Sequence, residues 1–200
     1  MLPVVEPVRR DGRARRDALL DAALECFARE GILATRLEQI RKVAGASPSS
    51  VYHQFAGLPD LTLALLVRTF ERLLGSLATK VGRTRSARGA VQALVRGHID
   101  WILQYPKEGA FMYQAMSLEL GGDAVQTLQR EKARMLAPIA MHLAPFIATG
   151  ELPDWPPIQL DVVLLGPSHE ACRRWLAGAD LDPDWMRKQL PRLAWRSIAV

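Results

Sequence analysis

A chain of 200 residues, 49% hydrophobic and 24% charged, has ample material for a folded core and is neither a disordered tail nor a fibre. Its longest apolar runs, residues 63–67 and 162–165, fall far short of the roughly 20 residues that span a bilayer, and the first seven residues do not read as an export signal. A cytoplasmic globular protein without membrane association is expected. The net charge of +5 is unevenly spread: residues 1–100 carry 16 Lys/Arg against 10 Asp/Glu, and residues 101–200 carry 10 against 11. That imbalance suggests a polyanion contact confined to the first half, with a merely solvated surface as the plain alternative. The two cysteines, Cys26 and Cys172, lie far apart, so neither a disulfide framework nor a zinc module is indicated.

Along the chain, prolines and glycines punctuate helical patterns and no period-two alternation is sustained, so the fold class is all-α. Residues 1–12 read as a flexible basic arm. Residues 14–30 place Leu19, Leu20, Ala23, Leu24 and Phe27 on one face of a helix that ends at Gly31. Thr35 and Glu38 match a capping box, which starts a second helix at Thr35 and stops it at Gly45. Ser47-Pro48 reads as an N-cap with proline at the first helical position, opening a short third helix through Phe55. A long helix over residues 60–81 follows, then helices near 87–105, 108–119, 122–148, 157–177 and 183–198. The domain reading is residues 13–58 as a DNA-binding unit and 59–200 as a helical regulatory and dimerisation unit.

Two short helices joined at Gly45 and preceded by a longer amphipathic helix make a helix-turn-helix pattern. Ile40, Val51 and Phe55 suit its interior, while Pro48, Ser49, Ser50, His53 and Gln54 suit the outer face of the second helix. No acidic residue occurs between Glu38 and Asp60, so this surface can approach a phosphate backbone without repulsion.

Gly31, Thr35, Ile40, Ala44-Gly45, Ser47, Val51-Tyr52, Phe55 and Leu61, in this order and spacing, resemble the tetracycline-repressor (TetR) family of bacterial transcriptional regulators. Residues 164–170, through Trp175-Leu176, are similar to one group of regulatory domains in that family. The resemblance implies a ligand-responsive repressor that binds a palindromic operator as a homodimer, with no cofactor. It also implies that Tyr52 contacts a phosphate. Ser49, Ser50, His53 and Gln54 are expected nearest the bases, and Thr35, Arg36, Ser47 and Tyr52 near phosphates. The chain departs from the family pattern at Arg36, Arg41, Ser49 and Leu58. Leu58 stands where the family often has a phosphate-contacting lysine, which leaves open a helical ligand-binding or adaptor protein with weak or lost operator binding.

The second half holds an aromatic- and Met-rich set, and Trp101, Phe111, Met112, Tyr113, Met116 and Trp175 are candidates to line a pocket for a small apolar or amphipathic effector. An ordinary aromatic core is the plain alternative at each of these positions. Leu160, Val163, Leu164, Gly166, Pro167 and Ala171 form a stripe suited to self-association. His169 and Cys172, three apart, lack further ligands at metal-binding spacing, and Ser168 and His169 point about 100° apart on a helix and cannot act as nucleophile and base. No metal site and no enzyme activity are expected.

Overall fold

The computed structural model describes residues 7–118 and 121–198, with side chains from residue 12 onward. Among the described residues there are nine helices and no strand: α1 (Pro7–Glu30), α2 (Leu37–Val43), α3 (Pro48–Gln54), α4 (Leu58–Val81), α5 (Ala87–Gln104), α6 (Pro106–Met116), α7 (Gly122–Ala148), α8 (Pro157–Leu176) and α9 (Pro183–Arg196). The expected breaks fall where expected, at Gly31, Gly45, Gly150 and the prolines that open α8 and α9. Two starts differ. Helix α1 begins at Pro7, so residues 7–12 of the stretch read as an arm are helical, while residues 1–6 lie outside the described residues. Helix α2 begins at Leu37 rather than at Thr35, for a reason given below.

The chain divides into two compact units, Met1–Arg68 with Phe111–Glu119, and Thr69–Ala110 with Leu120–Val200. In the first, one stripe of α1 (Leu19, Leu20, Ala23, Phe27) is buried together with Ile40, Val51, Phe55, Leu61 and Leu65. Phe27 and Phe111 stack with ring centroids 5.5 Å apart. Full burial of each such side chain stabilises by about 1.5–3 kcal/mol, enough to fix helices too short to persist alone. In the second unit α5 is the central element, packed most extensively against α9 and also against α8. Its Ala90, Val91, Val95, Ile99 and Ile102 are buried, as are Leu164, Leu165 and Cys172 of α8 and Met186, Leu190 and Ala194 of α9.

That second interior contains a polar exception. His98 of α5 and Ser168 of α8 are both fully buried. The Ser168 hydroxyl donates to the Leu165 carbonyl at 2.9 Å and lies 3.2 Å from His98 Nδ1, which makes Nδ1–H the donor in that contact. The His169 ring lies 4.5 Å from that of His98, centroid to centroid. Burial, then the neighbouring His169, push His98 well below the ordinary imidazole range; burial lowers His169 too, against the pull of Asp161 and with a smaller push from Lys132. Burial of Cys172 pushes its thiol up to about 12, so it stays protonated near neutral pH.

A histidine held neutral in the fold contributes its full stability above the unfolded value, near 6.5, and loses it as pH falls through that value toward the depressed one. Each pH unit below about 6.5 removes about 1.4 kcal/mol per such imidazole. Thermal melts at pH 7.5 and 5.5 should therefore show a large drop in Tm for the wild type and a smaller one for His98→Gln. Equal drops in the two proteins overturn the assignment of acid sensitivity to His98.

Candidate nucleic-acid interface

The α2–α3 segment is built from short elements whose ends are fixed by specific polar contacts. Gly31, at φ +82°, ends α1 in the left-handed region, and the Thr35 hydroxyl donates back to its carbonyl at 2.8 Å. Thr35 is only 3% exposed, and its side chain is turned back toward the end of α1 rather than over the first turn of α2. The capping role passes one residue on. The Arg36 backbone N–H donates to Gln39 Oε1 at 2.6 Å, and Gln39 Nε2 donates to Glu30 Oε2 at 2.6 Å, tying α2 to the end of α1. Glu38, the expected capping partner, instead accepts two hydrogen bonds from Arg41, at 2.7 and 2.6 Å. That guanidinium holds the Glu38 carboxyl below its ordinary range.

Arg41 also donates to the Ala46 carbonyl at 2.8 Å, across the turn where Gly45 takes φ +62°. A residue with a Cβ is strained in that conformation, which is why glycine stands there. Ser47 then caps α3: its hydroxyl oxygen accepts from the Ser50 N–H at 3.2 Å and lies 3.0 Å from Ser49 Oγ. At the other end of α3, Arg16 of α1 donates to the Gln54 carbonyl at 3.2 Å and lies over the Phe55 ring, 4.5 Å from its centroid. A cation at a helix C-terminus is favourable to the helix dipole and satisfies a carbonyl that has no partner within the helix. Asp60 accepts from the Ala56 N–H at 3.0 Å and fixes the exit.

With both ends tied and Val51 and Phe55 each 1% exposed, the orientation of α3 follows. Pro48, Ser49, Tyr52 and His53 are exposed and Ser50 and Gln54 are half-buried, so six of the candidate residues share one helix and line its accessible surface. Tyr52 is 66% exposed, so packing does not account for it. Ser47 and Arg36 are exposed beside them; Thr35 alone of the nine is buried and is corrected from a surface contact to a structural one. Sequence reasoning missed Arg16 as the brace of α3 and Arg15 as a residue lining a depression of about 270 Å³ with Ala44, Gly45, Ser47 and Ser50. Both read from sequence only as part of a basic run.

The pocket candidates divide between the units. Trp101 and Trp175 lie in the second, and Phe111, Met112, Tyr113 and Met116 in the first. Trp101, Phe111 and Met112 are buried, Tyr113 and Trp175 are half-buried, and Met116 is 47% exposed. Of the self-association stripe, Pro167 is exposed and Leu160, Val163, Gly166 and Ala171 are half-buried. Leu164 is 3% exposed, because with Leu165, Ser168 and Cys172 it forms the inner face of α8, and it is withdrawn from the surface set. The large exposed apolar side chains of α8 are Ile158 and Val162, one turn apart, and α7 exposes Met141.

Residues 19–65 match the family model described as bacterial regulatory proteins, tetR family. The chain is 33% identical over 81 residues to the HTH-type transcriptional regulator BetI of Brucella anthropi, covering 40% of this chain and 42% of that one. It is 30% identical over 132 residues to the HTH-type transcriptional regulator RutR of Escherichia coli O157:H7, covering 62% and 61%. The matched stretch thus spans about two-fifths to three-fifths of these relatives. Among solved structures, a TetR family transcription regulator from Marinobacter aquaeolei VT8 has the same fold, with TM-score 0.76, 19% identity and 96% and 98% of the two chains covered. The transcriptional regulator FadR from Bacillus subtilis, in complex with stearoyl-CoA, gives TM-score 0.72 and 15% identity over 88% and 96%. Among the described residues, no helix is long and apolar enough to cross a membrane.

Ser47→Ala removes the oxygen that accepts from Ser50 and should cost about 1 kcal/mol of stability. Urea unfolding monitored by circular dichroism checks this, and an unchanged midpoint would contradict the capping role.

Proposed function

We propose that this chain, a member of the TetR family of bacterial regulatory proteins, is a ligand-responsive transcriptional regulator that binds a palindromic operator as a homodimer through α3. The observation that carries this reading is the outer face of α3. It is a braced two-turn helix with Ser49, Ser50, His53 and Gln54 in reach of base edges, and no carboxylate stands between Glu38 and Asp60. Ser47, Arg36 and Tyr52 flank it and serve as phosphate contacts. By occupying its operator the dimer represses; one relative at 32% identity over 88 residues carries the name transcriptional activator FasR, so the sign is tested separately from binding.

Fluorescence anisotropy with the DNA upstream of the chain's own gene tests the reading. Tyr52→Phe should weaken binding several-fold on every sequence, whereas Gln54→Ala and His53→Ala should alter the preference among operator variants. If neither kind of substitution moves operator affinity, the assignment of α3 fails. Increased transcription from an occupied operator reverses the sign alone.

Two half-sites on DNA call for a symmetric partner. The apolar side chains that α7 and α8 leave exposed, Met141, Ile158 and Val162, with Pro167, supply a self-complementary surface. Sedimentation should show a dimer at micromolar concentration, and Val162→Asp should shift it at least tenfold toward monomer. A wild-type monomer under those conditions overturns the homodimer.

The effector is proposed to be apolar or amphipathic. Trp101 and Trp175 in the second unit, and separately Phe111, Met112, Tyr113 and Met116 in the first, offer contact area without charge, and the FadR neighbour is solved in complex with stearoyl-CoA, an amphipathic thioester. By linkage, such an effector and operator must weaken each other's binding by the same factor.

A further inference from the structure

Residues 72–99 contain Arg72, Lys80, Arg83, Arg85, Arg88 and Arg96 and no Asp or Glu. Arg72 is engaged by Glu108 at 2.6 Å, and Lys80 lies 3.8 Å from Asp100. Arg83, Arg85, Arg88 and Arg96 are all exposed, and among the described residues none has a carboxylate within ion-pair distance. The same unit pairs its arginines elsewhere: Arg134 with Glu71 and Glu131, Arg173 and Arg174 with Glu170. The concentration at the α4–α5 corner is therefore not the general condition of this surface.

Two further features coincide there. Helix α5 has no acidic residue in its first turn, so nothing offsets its positive end. Finally, a concavity of about 320 Å³ lies along α5, lined by Lys80, Gln92 and Arg96 with Gly89, Ala93, Gly97 and Asp100. Gly97 lets α5 approach α4 closely at its edge, since a Cβ there would meet Leu77 Cδ2 at 2.9 Å and Lys80 Cδ at 3.0 Å. Arg88, Gln92 and Arg96 succeed one another at intervals of four on one face of α5.

We propose that this face of the second unit binds a small polyphosphate anion, pyrophosphate itself or the diphosphate of a nucleotide, with Arg88 and Arg96 as its principal donors. Guanidinium groups offer two parallel N–H donors to phosphate oxygens, and Gln92 between them adds an uncharged donor. The size of the concavity is that of a small-ligand site. Asp100 at one end, bound to Arg187, sets a negative limit that a compact anion avoids and an extended duplex passing along α5 does not. The site lies outside the helix-turn-helix and does not depend on operator binding.

Calorimetric titration of the full chain with sodium pyrophosphate and with ADP, at fixed ionic strength, tests the proposal. Saturable binding is expected, weakened at least tenfold in Arg88→Gln/Arg96→Gln and unchanged in Arg130→Gln, an exposed arginine of α7 in the same unit. All substituted side chains are exposed, and melting curves confirm that the variants fold. ADP binding ten times tighter than pyrophosphate assigns the concavity to a nucleoside, and equal affinities assign the site to phosphates alone; both uphold it. No saturable binding, or equal weakening by Arg130→Gln, overturns it. So does a double variant that loses duplex DNA affinity while keeping pyrophosphate, which would make the face a nucleic-acid surface instead.

Discussion

A seven-residue helix cannot hold itself together in water, and that constraint governs the first unit. Two turns of helix return few internal hydrogen bonds for the chain entropy lost, so α3 exists only because other residues fix it. Ser47 closes one end, the Arg16 guanidinium closes the other, and Val51 and Phe55 anchor the inner side. The same logic explains the neighbouring helix. Helix α2, also seven residues, is tied to α1 through Gln39 and Glu30 and to the turn through Arg41 and the Ala46 carbonyl. Each contact is worth little alone, but together they leave the outer side chains of α3 no direction other than outward.

Arginine serves two distinct purposes in this chain. Arg16 and Arg41 are half-buried; Arg16 donates to the Gln54 carbonyl, and Arg41 to Glu38 and the Ala46 carbonyl, so their charge is consumed in bracing the turn and the helix end. Others stay exposed without a carboxylate, and these carry the long-range positive field. Net charge cannot separate the two groups. The excess of basic residues in the first hundred positions suggests a polyanion contact, yet part of that excess is structural.

The helix pattern was legible because its punctuation is local: Gly31, Gly45, Gly150 and the prolines opening α3, α8 and α9 act within one turn of where they stand. The start of α2 was not, although its capping residues are equally local. Thr35-x-x-Glu38 fits the capping pattern as well as Arg36 and Gln39 do on paper. What decides is the direction of the Thr35 side chain, which reaches back to the Gly31 carbonyl and so depends on how α1 ends. Pro7 and Pro106 each sit at the first helical position, and that signal went unread at both. Burial on α8 was misjudged at Leu164 because an apolar stripe read from sequence has no fixed centre. Ser168, a polar residue, marks the middle of the true inner face through its contact with His98. The division of the pocket candidates between two units is a tertiary fact with no local signature.

The candidate interface also separates affinity from specificity. No lysine or arginine stands on α3 itself; Ser49, Ser50 and Gln54 carry no charge, and His53 is its one basic side chain. Exposed cations of the first unit belong to other elements, among them Arg13 and Arg15 on α1, Arg36 before α2 and Lys42 within it. In the proposed operator complex, phosphate neutralisation, which sets the salt dependence of binding, would fall mainly to residues that read no base. Base reading would fall to short side chains whose hydrogen bonds are directional and fail at small displacements, a requirement that a braced α3 meets and a mobile one would not. Leu58 stands where the TetR family, which this chain resembles, often has a phosphate-contacting lysine. In any protein–DNA complex, loss of a phosphate contact lowers affinity evenly over all sequences without altering the preference among them.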